Sequence, residues 1–551
     1  MKKLLIIVAV LLVFVADGLI ARPVQEDDFP FPKQSTPIQE DSEEALNNMA
    51  EARPMPLTRD SLTVTFSTGA VELDFRKAYY SSEAQIFTGL YEGLFSYHPF
   101  TMKPVPALAS RYELSQDKRQ WTFIIREGAK FSNGDPVRAE DFRDAWLSLL
   151  SLPDAPYSSL FDIIEGARDF RVGRIATPDN VGIRVADGKL VVTLNAPAAF
   201  FPSMLCHHSF NPIHPSMLVD DADWSCPITN GPFSLKEKDD KSINLIKNDQ
   251  YWDVENVKLN TVIIKFIEDG DEASILWNSG EARWLAGDMN IDTLSDRSGI
   301  TVNAMFATHY YFIRSKNKPW NDYRVRQALS LALPWKEIRS GLYMPATTLI
   351  YPIPDYPEIA GIDETDMQKA VELLAEAGFP KGVGLPELTI KITPSAEADR
   401  IANLMATSWF ALGVPAKIEV VPYLFYNASL KEDNYEVGST TWIGDFADPY
   451  TFLQMWQTDS NLNDACYSDT DYEDLLNKSM TQEDEERWET LAQAEELLLN
   501  RASVLPISYQ PAINIIDTEE IAGWFPNVLD IHPFKYLSFA ILKPLPNVAR
   551  K

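Results

Sequence analysis

Apolar residues recur along this chain with a period of two in some segments, as in strands, and of three to four in others, as in helices. The two kinds of segment alternate along the sequence. Residues 62–69, LTVTFSTG, alternate apolar and polar side chains as a strand does, and residues 121–126 repeat that pattern. In residues 83–93 the apolar side chains fall three to four apart, which predicts an amphipathic helix. Residues 139–150 predict a second helix, with Phe142, Trp146 and Leu149 facing inward.

The same alternation continues to the C-terminal region. Residues 181–194 predict a hairpin on an Asp-Gly turn, and residues 262–269 a strand followed by a helix that carries Gly280. Residues 388–392, 398–412 and 416–421 predict a strand, helix and strand, and residues 483–500 a long amphipathic helix. Strands alternating with helices in two segments predict an α/β fold of two lobes, with a central cleft and a hinge that the chain crosses more than once.

The chain length indicates the number of lobes, and the net charge limits the classes of ligand. A chain of 551 residues exceeds the size of one hydrophobic core, so two or three lobes are expected. The 79 acidic residues outnumber the 49 basic ones, for a net charge of -30. That sign disfavours nucleic acids and anionic lipid surfaces and suits cationic or zwitterionic ligands, although solubility alone also explains it.

The N-terminus has the pattern of an export signal. Lys2 and Lys3 precede an apolar run, and Ala16 and Gly18 form a small-x-small cleavage site, so we expect residues 1–18 to be a signal peptide. Residues 19–60 are acidic and dotted with proline, which predicts a flexible arm. No cysteine for a lipid anchor follows the signal, so a soluble periplasmic or secreted protein is expected unless the signal stays uncleaved.

The cysteines and histidines do not indicate a catalytic or metal-binding site. Cys206 and Cys226 could form a disulfide, and three buried thiols are the equal alternative. The adjacent pair His207 and His208 would face opposite ways on a strand, which favours a structural role over a metal site. No nucleophile elbow, zinc-protease helix, phosphate loop or dinucleotide fingerprint is present in the sequence, so we expect no catalytic residues, metal or cofactor.

One stretch, residues 435–449, points to a ligand site. It runs from β-forming residues through Trp442 to a turn in which Gly444 precedes Asp445 and which ends at an Asp-Pro pair. A carboxylate at a strand end beside a large aromatic side chain suits a cationic ligand in a cleft. The alternative is that Asp445 caps the helix that follows the turn.

The run from Trp442 to Pro449, WIGDFADP, resembles the signature of the periplasmic oligopeptide- and dipeptide-binding proteins of ABC importers. Residues 106–150 closely resemble another run of the same family, as do residues 229–233, 243–252 and 318–333. The resemblance covers about residues 62–523.

The resemblance implies roles for individual residues. Asp445 would pair with the N-terminal ammonium of a peptide, Trp442 would wall that pocket, and Tyr157 would bring its hydroxyl to the ligand N-terminus. Tyr423 would line a side-chain pocket. Ser439 stands where the oligopeptide binders carry an arginine for the ligand carboxylate, which leaves water, Arg400 or another base, or nothing, to meet that carboxylate.

The resemblance also implies the domain layout. Lobe I would comprise residues 61–90, 201–307 and 513–551, with an extra β-rich subdomain inserted at residues 91–200, and lobe II residues 308–512. Closure would bend the segments near residues 198–205, Thr308 and Ala512.

These expectations define a function. We expect a monomeric, non-enzymatic binding component of an ABC importer that captures short peptides and delivers them to a membrane permease and its ATPases. The alternatives are the same fold binding an oligosaccharide, an opine or a metal chelate, a periplasmic hydrolase, and a chaperone or receptor.

Overall fold

The computed structural model describes residues 60–67, 71–287, 289–353 and 355–540. The predicted signal at 1–18 and all but the last residue of the predicted arm at 19–60 lie outside the described residues. The strands are β1 (Ser61–Phe66), β2 (Phe95–Tyr97), β3 (Pro104–Pro106), β4 (Ala109–Leu114), β5 (Gln120–Ile125), β6 (Ile183–Ala186), β7 (Lys189–Thr193), β8 (Phe233–Lys238), β9 (Ser242–Lys247), β10 (Thr261–Phe266), β11 (Trp284–Leu285), β12 (Ile300–Ile313), β13 (Leu388–Ile392), β14 (Ala416–Val420), β15 (Val437–Ile443), β16 (Val504–Ile516), β17 (Ile521–Ala522) and β18 (Ser538–Phe539).

The α-helices lie between these strands and cover the sheets. They are α1 (Ser81–Leu90), α2 (Ala139–Leu150), α3 (Ala167–Arg171), α4 (Phe201–Met204), α5 (Gly270–Asn278), α6 (Tyr323–Leu331), α7 (Trp335–Ile338), α8 (Met367–Glu376), α9 (Ala396–Ala411), α10 (Tyr423–Ser429), α11 (Tyr450–Leu453), α12 (Thr470–Ser479) and α13 (Asp484–Asn500).

A mixed sheet of ten strands runs through the whole molecule in the order β14-β13-β15-β12-β16-β11-β1-β10-β9-β8. Five strands, β11, β1, β10, β9 and β8, form the sheet of lobe I, three strands, β14, β13 and β15, form that of lobe II, and β12 and β16 lie between the two sets. The sheet contains parallel pairs, such as β1 with β10 and β13 with β14, which need crossover connections. The predicted two-lobed α/β fold is therefore confirmed.

The long strands β12 and β16 belong to both lobes. Strand β12 pairs with β16 from Ile300 to Phe312, and from Ala307 onward it also pairs with β15 on its other side. Their register shifts between Ala304 and Thr308, and Pro511 lies opposite Ala304. A bulge and a proline both weaken the ladder at this point, so the strands can bend where they pass from one lobe to the other.

A separate antiparallel sheet of four strands, β4-β5-β7-β6, forms the extra β-rich subdomain of lobe I. Its β6–β7 hairpin turns at Asp187 and Gly188, whose φ angles are 50° and 71°, so the predicted Asp-Gly turn is confirmed. Helix α2 has the predicted bounds and buries Phe142, Trp146 and Leu149.

Some local predictions were wrong. The helix after β10 ends at Asn278, and Gly280 follows it with φ 74°, so this glycine terminates the helix and is not inside it. The Cys206 and Cys226 thiols are both free, so the disulfide considered from the sequence is not formed. None of the helices in the described ranges is both long and apolar enough to cross a membrane.

Candidate functional site

A cavity of about 320 Å³ lies between the two lobes. Lobe I contributes Tyr79 and Tyr80 at the start of α1, and the β-rich subdomain contributes Tyr157. Lobe II contributes most of β15, including Trp442, and the turn that follows it with Asp445. The volume is at the lower end of the range for small-ligand sites, about 300 to 1,000 Å³.

Strand β15 brings the predicted motif to the cavity. Trp442 pairs with Thr308 of β12, and the Gly444 N–H donates to the carbonyl of Phe306 at 2.8 Å. A Cβ atom on Gly444 would lie 2.6 Å from the ring of Phe306 and 3.0 Å from Thr451 Cγ2. Only glycine therefore fits here, and it lets the chain turn tightly after the strand.

Asp445 is buried with neutral partners alone. Its side chain accepts a hydrogen bond from the Thr451 hydroxyl at 3.2 Å, and the same hydroxyl accepts from the Asp445 backbone N–H at 2.9 Å. His207 Nε2 lies 3.7 Å from Asp445 Oδ1, which is beyond hydrogen-bond range. Within the described ranges, no Lys or Arg pairs with this carboxylate, although the residue is only 7% exposed.

The second acid of the motif has a different role. Asp448 forms a bidentate ion pair with Arg487, with both N–O distances at 2.8 Å, and accepts from the Tyr450 backbone N–H at the start of α11. Asp448 thus bonds the first backbone N–H of the helix after the turn, a role close to the capping considered for Asp445 from the sequence. Asp445 is left facing the cavity.

Burial dominates the ionisation of the site. Removal from water raises the pKa of the Asp445 carboxyl from its usual 3.8 to about 8, and the Thr451 hydrogen bond offsets only part of this effect. Burial lowers the pKa of His208 to about 3 and that of His309 to about 4. Burial and the adjacent His208 hold the pKa of His207 well below 6.5. All three histidines are neutral at pH 7.

Tyr157 and Trp442 form one wall beside Asp445. Their ring centroids are 6.3 Å apart, and the Tyr157 ring also packs edge-on against His207 at 4.6 Å. The Tyr157 hydroxyl donates to the carbonyl of Tyr79 at 3.3 Å. Burial raises the pKa of Tyr157 well above 10, and the nearby Asp445 carboxylate adds to this effect, which keeps the hydroxyl protonated as a donor.

Tyr423 lies at the mouth of the cavity. It begins α10 and is 54% exposed, and its ring centroid is 5.8 Å from that of Tyr80 in the other lobe. The five residues predicted from the sequence, Asp445, Trp442, Gly444, Tyr157 and Tyr423, all line the same cavity.

Sequence reasoning missed His207, His208 and His309, which all line the cavity. His207 and His208 are not on a strand; they begin a short 3-10 helix, which places their rings on the same side with centroids 4.0 Å apart. The expectation that they face opposite ways was therefore wrong. His214, the next histidine in the chain, lies apart from them and contacts Asp135 at 3.0 Å.

The candidate base for a ligand carboxylate is occupied elsewhere. Arg400 donates to the carbonyls of Glu337 and Ile338, both at 2.9 Å. At the position of the missing arginine, Ser439 is buried, and its N–H and carbonyl both bond the Tyr426 hydroxyl at 2.9 Å. No group of three or more His, Cys, Asp or Glu side chains in the described ranges is arranged to hold a metal ion.

Comparison with known families identifies the fold. The family described as bacterial extracellular solute-binding proteins, family 5 Middle, matches residues 103–464. The chain belongs to this family. The matched segment contains the β-rich subdomain, β15 and the Asp445 turn, so the family assignment covers most of the cavity.

Individual relatives agree with this family 5 assignment. The dipeptide-binding protein DppE of Bacillus subtilis is 28% identical over 459 residues, which cover 79% of this chain and 83% of DppE. The murein tripeptide-binding protein MppA of Escherichia coli has a TM-score of 0.77 at 25% identity, covering 87% of this chain and 98% of MppA. The unliganded open form of MppA is less similar in shape, with a TM-score of 0.60 at 24% identity, covering 87% of this chain and 97% of that form.

Proposed function

We propose that this protein is the binding component of an ABC importer, which captures short peptides between its lobes and delivers them to a membrane permease and its ATPases. It acts as an exported monomer and binds its ligand without transforming it. DppE and MppA, a dipeptide-binding and a murein tripeptide-binding protein by name, support a peptide ligand.

The observation that carries this proposal is the buried carboxylate of Asp445, which faces the cavity without a cationic partner. Without a counter-charge the buried acid stays protonated at pH 7, and a peptide's N-terminal ammonium would supply that charge and form a charge-assisted hydrogen bond with the ionised carboxylate. A neutral oligosaccharide carries no cation that could pair with this acid, which favours the peptide over the sugar.

The proposed lobes follow the sheet. Lobe I comprises residues 61–90, 201–307 and 513–551, with the subdomain at 91–200, and lobe II comprises residues 308–512; residues 541–551 lie outside the described ranges. The bulge of β12 between Ala304 and Thr308 supports a boundary at this point. Hinge bending there would open the cavity.

The direct test is the isosteric change Asp445→Asn. We expect it to weaken peptide binding by about 2 to 5 kcal/mol, because the ligand ammonium is then buried without a counter-charge. Isothermal titration calorimetry with peptides identified by native mass spectrometry of the purified protein measures this loss. Asp240→Asn, which removes an exposed acid beyond β8, is the charge-matched control.

Two results would contradict the proposal. Unchanged affinity in Asp445→Asn would remove Asp445 from the site. Recovery of the bound peptide as cleavage products after incubation with the wild-type protein would indicate a hydrolase.

A further inference from the structure

The cavity has one acidic end and no basic one. Asp445 is its only carboxylate, and none of the described residues that line it is Lys or Arg. Of the three lining histidines, His207 and His208 are buried and His309 is partly buried, and all three are neutral at pH 7. The charge that the wall can offer a ligand is therefore negative only.

The cations of the neighbouring elements are committed to other partners. Lys391 on β13 is fully buried and donates to the Ser429 carbonyl at 3.0 Å. The other cations pair elsewhere: Arg487 with Asp448, Lys535 with Glu92 and Arg400 with two backbone carbonyls. Moving any of them to a ligand would break a contact that it already makes.

The wall that β15 forms away from Asp445 is polar but uncharged. Ser439, Thr440 and Thr441 line it, together with Tyr426 and Asn427 of α10. Hydroxyl and amide groups can bond a peptide main chain, but they do not repay the cost of burying a carboxylate. A ligand whose two ends were both enclosed would bring such a carboxylate with it.

We infer that the cavity selects peptides that place a free ammonium at Asp445 and no carboxylate inside, so that the peptide continues out past the exposed Tyr423 at the mouth or ends in a neutral amide. This inference rests on the proposed function and deepens it by naming the ligand class. The small cavity volume, about 320 Å³, supports it, because the cavity encloses only a short segment of a peptide.

The test uses five peptide libraries of randomised sequence with ligand-free protein: tripeptide free acids, tripeptide amides, N-acetylated tripeptide amides, hexapeptide free acids and hexapeptide amides. Native mass spectrometry of the retained peptides, followed by calorimetry on those retained, measures the preference. We expect tripeptide amides to bind at least tenfold more tightly than the matching acids. Hexapeptides should bind equally as acid or amide, and N-acetylated peptides should not be retained.

A gain of function provides the second arm. Thr441 lines the cavity with an exposed side chain, so it accepts a longer residue. Thr441→Lys supplies the absent cation and should reduce the preference for amides over acids, whereas the neutral variant Thr441→Met, of similar length, should not.

The outcomes separate the two proposals. Tripeptide acids that bind as tightly as their amides would overturn the inference and leave the proposed function intact. If no library is retained in any form, the proposed function fails, and the inference fails with it.

Discussion

At the scale of single residues, the site is defined by two acids of one turn with opposite environments. Asp448 is neutralised by Arg487 at 2.8 Å, whereas Asp445 has a threonine hydroxyl and a neutral histidine beside it. A buried carboxylate without a counter-charge stays protonated at neutral pH, and burial raises the pKa of Asp445 to about 8. The empty site is therefore neutral and becomes ionic when a cation binds.

Peptide binding should consequently release a proton. Below pH 8 the free Asp445 is protonated and the free peptide carries an ammonium with a pKa of about 8, yet the complex holds one proton between them. Affinity should rise with pH up to about 8, approaching tenfold per unit between about pH 5 and 7, and should fall above about pH 8 as the free ammonium is lost. Calorimetry at pH 6.5 in two buffers of different ionisation enthalpy should measure nearly one proton released per peptide.

The control for this prediction is Asp445→Asn, which should abolish the proton release. The histidines are not the source of the proton released at pH 6.5, since the pKa values of His208 and His309 are about 3 and 4 and that of His207 lies well below 6.5. Affinity that is flat from pH 5 to 7 would contradict a protonated empty site.

At the scale of elements, β15 and β12 form the frame that positions the turn. Gly438 and Gly444, one within β15 and the other just after it, lie beneath Phe312 and Phe306 of β12, and a Cβ atom on either would come within 2.6 Å of a ring. Phe306 is itself held by Phe452, with ring centroids 4.7 Å apart. The Asp445 turn is thus packed against the neighbouring strand β12. Its position depends on Gly444 having no side chain.

Gly444→Ala should therefore destabilise the protein and weaken binding together. We expect a loss of about 1 to 3 kcal/mol in the free energy of unfolding, because the ring of Phe306 has no space to move into. Chemical denaturation measures the stability, and calorimetry measures the affinity. Thr441→Ala, at an exposed position of the same strand, should leave the stability nearly unchanged. A Gly444→Ala protein with wild-type stability would show that the turn adapts freely.

At the scale of the whole molecule, the β-rich subdomain connects to lobe II beyond the cavity. Arg168 of α3 lies 3.2 Å from Asp459 and 3.3 Å from Glu473, and Arg171 donates to the Asp459 carbonyl at 2.6 Å. Asn461 donates to the Ala155 carbonyl at 2.8 Å. These contacts cross between the lobes, so they must break when the cavity opens.

Arg168→Gln should accelerate ligand release. Removing two partly buried ion pairs costs about 1 kcal/mol of the closed state, which corresponds to about a fivefold faster dissociation rate. Stopped-flow tryptophan fluorescence measures this rate. Arg184→Gln is the matched control, because Arg184 bonds Gln120 within the same subdomain. High salt should accelerate release from the wild type and have less effect on Arg168→Gln. Equal rates in both variants would show that the contacts do not hold the lobes.

Much of this protein followed from the sequence alone. The periods of apolar residues gave the α/β class and helix α2, and the Asp-Gly pair gave the β6–β7 hairpin, because these features depend on neighbours in the chain. The motif around Trp442 and Asp445 marked the cavity before its walls were known. A local sequence pattern is therefore enough to predict the features that depend only on residues close together in the chain.

Other features depended on contacts that the chain makes at long range. The shared position of Tyr80, His207 and His309 in one cavity arises from three distant segments, and no spacing in the sequence links them. The different roles of Asp445 and Asp448 also depend on Arg487, some forty residues onward in the chain, which pairs with Asp448 and not with Asp445. Sequence determines which groups can ionise, whereas the tertiary structure decides which of them meets a counter-charge, because burial and pairing are properties of the packed chain.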